Sequence, residues 1–346
     1  MKTNVKEVLT LRQGLGVGKR RYIYNSDALD SYKKEFTYLN DDIKKLRFAL
    51  DRVGAISDCY ILYAVACLGV ADVESVRMFL LAMHKKNLRL SIPDTNDHAV
   101  IRERMKTLTL NGFLFKHIYV SAATDIDGSI VHINTSLYTI AEDAQQLANQ
   151  KLGKDIKVNK WIMAKPLYEL QGWASSGYCM TYIAAHTKFV KFKQGIFNTK
   201  VMGTTIIPGI LKCETPSYDE YIGFIPAFLH MEDNANTQED YVDKCCKTVK
   251  TIRQYLYNMD LKKKVARAVV VVEDNADLNE IAKYIAGAHG EIEKDYDRIF
   301  FVGEGTFRNN SSGQIKNLFL RMIEDTTKDG YGIIPAEPDF IIEDSF

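Results

Sequence analysis

The chain has 346 residues, more than one hydrophobic core usually serves, so two domains are expected. Apolar residues make up 46% and charged residues 26%, which excludes disorder over any long span, and no uncharged apolar run approaches the length of a membrane span. A formal net charge of +1 excludes a global basic field, so a nucleic-acid partner would have to meet positive charge gathered locally.

Residues 1–40 form a basic, glycine-containing lead in which Gly14, Gly16 and Gly18 precede Lys19, Arg20 and Arg21. A phosphate-binding loop ending at Gly18-Lys19 needs glycine at position 13 and Ser or Thr at position 20, where the chain has Gln13 and Arg20. The dinucleotide fingerprint spacing is absent too. A flexible loop or hairpin is the expectation, the other option being an arm whose Lys19, Arg20 and Arg21 touch phosphates.

From Asn40 the pattern becomes helical. Ile43, Leu46, Leu50 and Val53 recur at helical spacing and Gly54 ends the run. Ser57 is a good N-cap for an almost wholly apolar helix from Tyr60 to Leu68, stopped by Gly69. A further helix runs from Asp72 to His84, with Val73, Val76, Phe79, Leu80 and Met83 on one face. Beyond Pro93, Asp97 caps a helix from His98 to Asn111 with Ile101, Met105 and Leu108 inward and Gly112 as its stop. Two period-2 stretches, Phe113–Val120 and Ser129–Tyr138, flank a turn with Asp125, Asp127 and Gly128 and predict a β-hairpin. Glu142–Leu152 reads as a closing helix.

Helices, then a hairpin, then a helix is the order of a winged helix-turn-helix. The charge pattern adds to it: Lys85, Lys86 and Arg89 precede the capped helix, Arg102, Arg104 and Lys106 lie on it, and Lys116 and His117 open the first wing strand. Arg102 and Lys106, four apart, share a helix face, whereas Arg102 and Arg104 are about 200° apart. That shared face suits a major groove or its phosphates. The acidic wing tip at Asp125 and Asp127 favours the alternative, a winged helix used for protein contacts.

Residues 160–346 read as α/β. Trp161–Ala185 is helical, with Pro166 near its start. Phe189–Phe197, Thr204–Cys213 and Ile222–Met231 are strands and Thr237–Asn258 is a long helix. Arg267–Glu273 and Arg298–Gly303 are buried strands with a helix, Asn275–Ala288, between them, which predicts parallel neighbours at the end of the sheet. Cys59, Cys67, Cys179, Cys213, Cys245 and Cys246 show no paired C-x-x-C spacing and predict reduced thiols in a cytoplasmic protein. His84, His98, His117, His132, His186, His230 and His289 are not spaced as metal pairs. Gly303–Arg308 is a weak pocket candidate after a strand.

The stretches Ala55–Tyr63, Ile101–Lys116 and Leu137–Leu147 resemble the N-terminal half of replication–relaxation-type proteins of bacterial plasmids and integrative elements. The resemblance covers about residues 42–152. It implies a C-terminal half similar to the restriction-endonuclease-like fold, in which Pro-Asp on one strand and an acid pair or acid-x-Lys on the next hold a divalent metal that activates water. The matching positions are Pro208-Gly209, then His230-Met-Glu232 with Asp233, and Lys244 on the helix beyond. Gly209 and His230 stand where acids belong, so the resemblance implies a degenerate site with no metal, cofactor or catalytic residues. Other acids, Glu214, Asp219, Glu220, Asp339 and Glu343, form no matching set.

The expected fold is α+β or α/β: a basic lead over 1–40, a winged helix DNA-binding domain over 41–152, and a mixed α/β domain over 160–346. The expected function is duplex DNA binding in plasmid replication, partition or transfer. Lys85, Lys86, Arg89, Arg102, Arg104, Lys106 and Lys116 would carry it, with a homo-oligomer and a possible protein partner through the C-terminal half. A metal-dependent nuclease and a ligand-sensing transcriptional regulator are the alternatives.

Overall fold

The computed structural model describes residues 33–35, 56–86, 97–124, 130–157, 166–186, 189–199, 203–214, 217–227, 238–272, 281–282, 293–303, 319–325 and 330–336. The expected lead before Lys33, the helix at Ile43–Val53, the wing tip at 125–129 and most of Asn275–Ala288 lie outside these residues. The class is α+β, with helices and a mixed sheet.

The N-terminal half begins with a short strand, β1 (Lys33–Glu35), followed by α1 (Ile56–Leu68), α2 (Val73–Lys86) and α3 (His98–Leu110). The hairpin β2 (Leu114–Thr124) and β3 (Ile130–Ile140) leads into α4 (Glu142–Leu152). α1 is apolar on nearly every face and is correspondingly buried on nearly every face. Gly69, in the left-handed region at φ 77°, ends it, and Ala71 then forms a single bridge to Tyr138 of β3. β1 adds antiparallel to β2, pairing Lys34 with His117, so part of the expected lead is a third strand beside the hairpin.

The C-terminal half opens with α5 (Pro166–Gly172), a π-helical segment (Trp173–Met180) and α6 (Thr181–His186), where the sequence predicts one regular helix. Strands β4 (Phe189–Thr199), β5 (Gly203–Glu214) and β6 (Asp219–Ala227) form an antiparallel meander. The long helix α7 (Gln238–Leu261) crosses to β7 (Val265–Val272), parallel to β6. A 3-10 turn (Glu293–Arg298) leads to β8 (Ile299–Gly303), parallel to β7, and β9 (Phe319–Asp325) and β10 (Gly330–Ala336) close the sheet as an antiparallel hairpin. The order is β10-β9-β8-β7-β6-β5-β4, so the parallel strands sit in the middle of the sheet and not at its end, where their alternation with helices places them in the sequence reading. β6 also starts earlier than the predicted Ile222–Met231, whose last residues lie outside the described ones.

Prolines sit where the ladder tolerates them. Pro335 is on the edge strand β10. Pro208 faces the register shift between Lys193 and Gly195 of β4, and Pro226 lies beyond the last β5–β6 pair, Gly209 with Phe224.

Each face of the sheet has its own core. On one face α7 buries Cys245, Val249, Ile252, Leu256 and Met259 against Ile207, Ile225, Val270 and Phe301, a stripe at helical spacing. The other core runs without a break from α1, α2 and α3 through Met180 and Ile183 to Leu211, Phe224 and Phe300. The Phe79 and Phe192 rings, from α2 and β4, lie 4.6 Å apart. The expected division into 41–152 and 160–346 therefore does not coincide with a break in packing.

All six cysteines are free; five are buried and Cys246, on the outer face of α7, is exposed. Burial pushes the Cys67 thiol up to about 12. A native thiol titration should therefore give one fast-reacting group, lost in Cys246→Ser, with the remaining five appearing only on denaturation. Several fast thiols in the native state would show that the shared core is open in solution.

Candidate nucleic-acid interface

α3 is built as the sequence predicts. The Asp97 side chain accepts from the amides of Ala99 (2.8 Å) and Val100 (3.3 Å), capping the helix start. Ile101, Met105, Leu108 and Thr109 face the core. Gly112, at φ 76°, turns the chain into β2, with the Phe113 amide donating to the Leu108 carbonyl. The outer face carries His98, Arg102 and Lys106, all exposed and four residues apart. Glu103 lies 3.8 Å from Lys106, and with both side chains more than 60% exposed this pair contributes little.

Arg104 has a different place. Its Nε donates to Asp58 Oδ1 at 2.9 Å and its Nη2 to Oδ2, a two-pronged pair with a carboxylate that is fully buried in the first turn of α1. Those hydrogen bonds and the carboxylate charge hold the guanidinium above its ordinary value against the opposing effect of burial. The sequence reads Ser57 as the cap of α1; the helix instead starts at Ile56, which turns Asp58 inward to meet Arg104.

Lys116 is half-buried on β2, opposite Tyr138 of β3. Burial pushes the Tyr138 phenol up, Asp72 adds to that push, and the charge of Arg102 opposes it. Lys85 and Lys86 form the last turn of α2, and Arg89 falls outside the described residues. Of the seven expected DNA contacts, α3 therefore brings Arg102 and Lys106 together on one outer face, with Arg104 turned to Asp58.

Next to Lys116, His117 points the other way. Its ring is buried between Glu169 of α5 (Nδ1 to Oε2, 3.1 Å) and Thr139 of β3 (Nε2 to Oγ1, 3.0 Å). This cluster fastens the hairpin to the C-terminal half. Nothing in the spacing of these residues announces it, because Glu169 is 52 positions from His117.

Of the nuclease-like positions, Pro208, Gly209 and Lys244 fall among the described residues. Gly209 lies mid-strand in β5, where a Cβ would stand 2.7 Å from Ser176 Cβ and 2.8 Å from Met180 Sδ. The helix layer rests directly on this glycine and leaves no room for a carboxylate. Glu220 is buried and paired with Arg267 of β7, and Asp219 pairs with Lys212 at 2.6 Å. Lys244 is half-buried and Glu214 exposed. His230, Glu232, Asp233, Asp339, Glu343 and the loop 304–308 lie outside the described residues. Among the described residues no three His, Cys, Asp or Glu side chains converge as a metal site, and no helix is long and apolar enough to cross a membrane.

No protein-family model, curated protein or solved structure matches this chain.

Three substitutions test these placements. Arg104→Ala leaves a buried carboxylate without its partner and should cost about 3 kcal/mol in chemical denaturation, with Asp58→Asn costing less. Equal, negligible losses in both would show that the pair contributes nothing. Gly209→Ala must displace the helix layer and should cost about 1–3 kcal/mol; a neutral result would mean that the helix does not rest on β5 as described.

Proposed function

We propose that the chain is a duplex-DNA-binding protein that presents α3 to the major groove or its flanking phosphates. The observation that carries this reading is the single outer face of α3 holding His98, Arg102 and Lys106, on a helix locked to α1 by the Asp58–Arg104 pair. The order α1, the bridge at Ala71, α2, α3, β2 and β3 fits a winged helix-turn-helix, with the hairpin as wing. Lys85, Lys86, Arg89 and Lys116 would extend the positive footprint on either side. Asp97 already fills the first amides of α3, so the contacts fall to the side chains of Arg102 and Lys106 and not to the helix N-terminus. A role in plasmid replication, partition or transfer is what the resemblance over residues 42–152 implies, and the cysteines read as reduced thiols fit the cytoplasm.

In the same reading the C-terminal half is a catalytically silent relative of the restriction-endonuclease-like fold. The succession of helix, β4, β5, β6, α7 and β7 is compatible with that fold. The packing at Gly209 supports silence, because no acid fits there without moving Ser176 and Met180. Two copies binding adjacent half-sites would raise affinity, with the α/β half as the platform.

A salt titration of duplex binding tests the proposal. The double variant Arg102→Ala/Lys106→Ala should bind more weakly, and the slope of log K against log salt should flatten by about 2, near 0.9 for each phosphate that is no longer neutralised. Unchanged affinity and slope, or a wild-type chain that ignores duplex DNA at low salt, would overturn it.

A further inference from the structure

At the ends where β7 and β8 begin, a cleft of about 740 Å3 opens. Five cations line it: Lys263, Lys264 and Arg267 from the α7–β7 turn and β7, Arg298 before β8, and Arg321 on β9. Only two carboxylates, Asp260 and Asp297, join them. In a chain of net charge +1 this is a local excess.

The two deeper guanidiniums are fixed from behind. Arg267 pairs with the buried Glu220, and its guanidinium carbon lies 5.5 Å from the Phe300 ring centroid. Arg298 donates to the Ala266 carbonyl at 3.0 Å, to Asp260 at 2.8 and 3.1 Å, and to Asp295 at 2.7 Å. Burial works against its charge, and the two carboxylates hold the charge in place. Glu220 offsets Arg267, and Asp260 and Asp295 offset Arg298, so the cations left to meet a ligand are Lys263, Lys264 and Arg321, exposed at the rim beside Asp297.

The backbone singles out Lys263. Among the described residues it is the one non-glycine residue at positive φ, 52°. It ends α7 in a hydrogen-bonded cap, its amide donating to the Asp260 carbonyl and the Lys264 amide to that of Met259. Glycine occupies the corresponding left-handed position after α1, α3 and α4, at Gly69, Gly112 and Gly153. A lysine there is strained where glycine is not. Complementing the negative end of α7 does not require it, since Lys262 and Lys264 flank it. Its side chain is what distinguishes the position, and that side chain borders the cleft.

We propose that this cleft binds a phosphate-bearing ligand, with Lys263, Lys264 and Arg321 meeting the phosphate over the preset guanidiniums of Arg267 and Arg298. Planar guanidinium forks and ammonium groups together suit phosphate oxygens. The volume is that of an organic ligand site and exceeds what a bare phosphate needs, while Phe300, Pro335 and Ala336 give the rest of the ligand an apolar wall. The phosphate comes either from a free small molecule or from a nucleic-acid backbone.

Calorimetric titration of the full chain at low salt with adenosine diphosphate and with inorganic pyrophosphate tests the site. Both should bind saturably, and Lys263→Gly and Arg321→Gln should each weaken binding about tenfold, the loss expected for one charge-assisted hydrogen bond. Lys263→Gly also removes the left-handed strain, so its melting temperature should hold or rise, which separates a weakened ligand site from a weakened fold. Absence of saturable binding by either probe, or a Lys263→Gly chain that binds as the wild type does, overturns the proposal. A duplex oligonucleotide that displaces adenosine diphosphate, and whose own affinity falls in Lys263→Gly, assigns the phosphate to nucleic acid. A duplex that leaves the probe bound assigns it to a small molecule.

Discussion

One close backbone approach seats α1 against the C-terminal sheet. The π-helical segment Trp173–Met180 lies between the α1–α2 corner and strand β5, with almost nothing between the chains. On one side a Cβ at Gly177 would stand 3.0 Å from the Val70 carbonyl oxygen, and Ser176 Oγ, which donates to the Gly172 carbonyl at 2.5 Å, lies 3.2 Å from the Leu68 carbonyl. On the other side, Gly209 admits Ser176 and Met180 onto the sheet. The same turn touches both units through glycine, so its seating fixes α1 relative to the sheet. α1 in turn holds α3 through Asp58 and Arg104. The exposed face of Arg102 and Lys106 is thus referred, through three contacts, to the C-terminal sheet.

The second attachment is polar, with different physics. His117 and Glu169 are both removed from water, and a buried ionisable group without a partner is costly. Glu169 accepts from His117 Nδ1, and Thr139 occupies the other ring nitrogen. Apolar contacts between the halves tolerate sliding; this cluster does not, because a shift of an ångström or two leaves a buried carboxylate and a buried imidazole unmatched. The wing root and α5 are held in one register.

Signals in the sequence are legible where local physics decides. Asp97 and Gly112 bound α3, Gly69 ends α1, and the stripe from Cys245 to Leu256 marks α7, because caps and periodicity act within a few residues. β9 and β10 have no counterpart among the expected elements: Gly330, Gly332 and Pro335 weaken the strand pattern, and the edge position of β10 makes them acceptable. The central place of the parallel strands is hidden because alternation of strand and helix predicts neighbours without giving their position in the sheet. Gly209 is legible as a departure from an acidic pattern, but its cause, contact with Ser176 and Met180, lies in a helix that precedes it by about thirty residues. Helical spacing already sets Arg104 off the face of Arg102, but its partner, the inward-turned Asp58, is 46 residues away and not legible.

That last case extends to other arginines. Arg104 pairs with Asp58 over 46 residues, Arg267 with Glu220 over 47, and Arg298 with Asp260 over 38. Each joins two elements of the fold, α1 to α3, β6 to β7, and the end of α7 to the start of β8. A guanidinium suits this because its fork bonds a carboxylate at two points and keeps its charge when partly buried. Summing basic residues along the sequence therefore overstates the positive potential of the surface, since these three are balanced by carboxylates from far along the chain. Among the described residues, the exposed cations that a polyanion would meet include Arg102 and Lys106 on α3 and Lys263, Lys264 and Arg321 at the cleft. In each place an arginine–carboxylate pair lies behind the exposed cations: Arg104 with Asp58 beneath the first, Arg267 with Glu220 and Arg298 with Asp260 beneath the second. Elements pinned in this way lose little further freedom when a ligand binds, so the attraction of the outer cations is not consumed in ordering the scaffold that carries them.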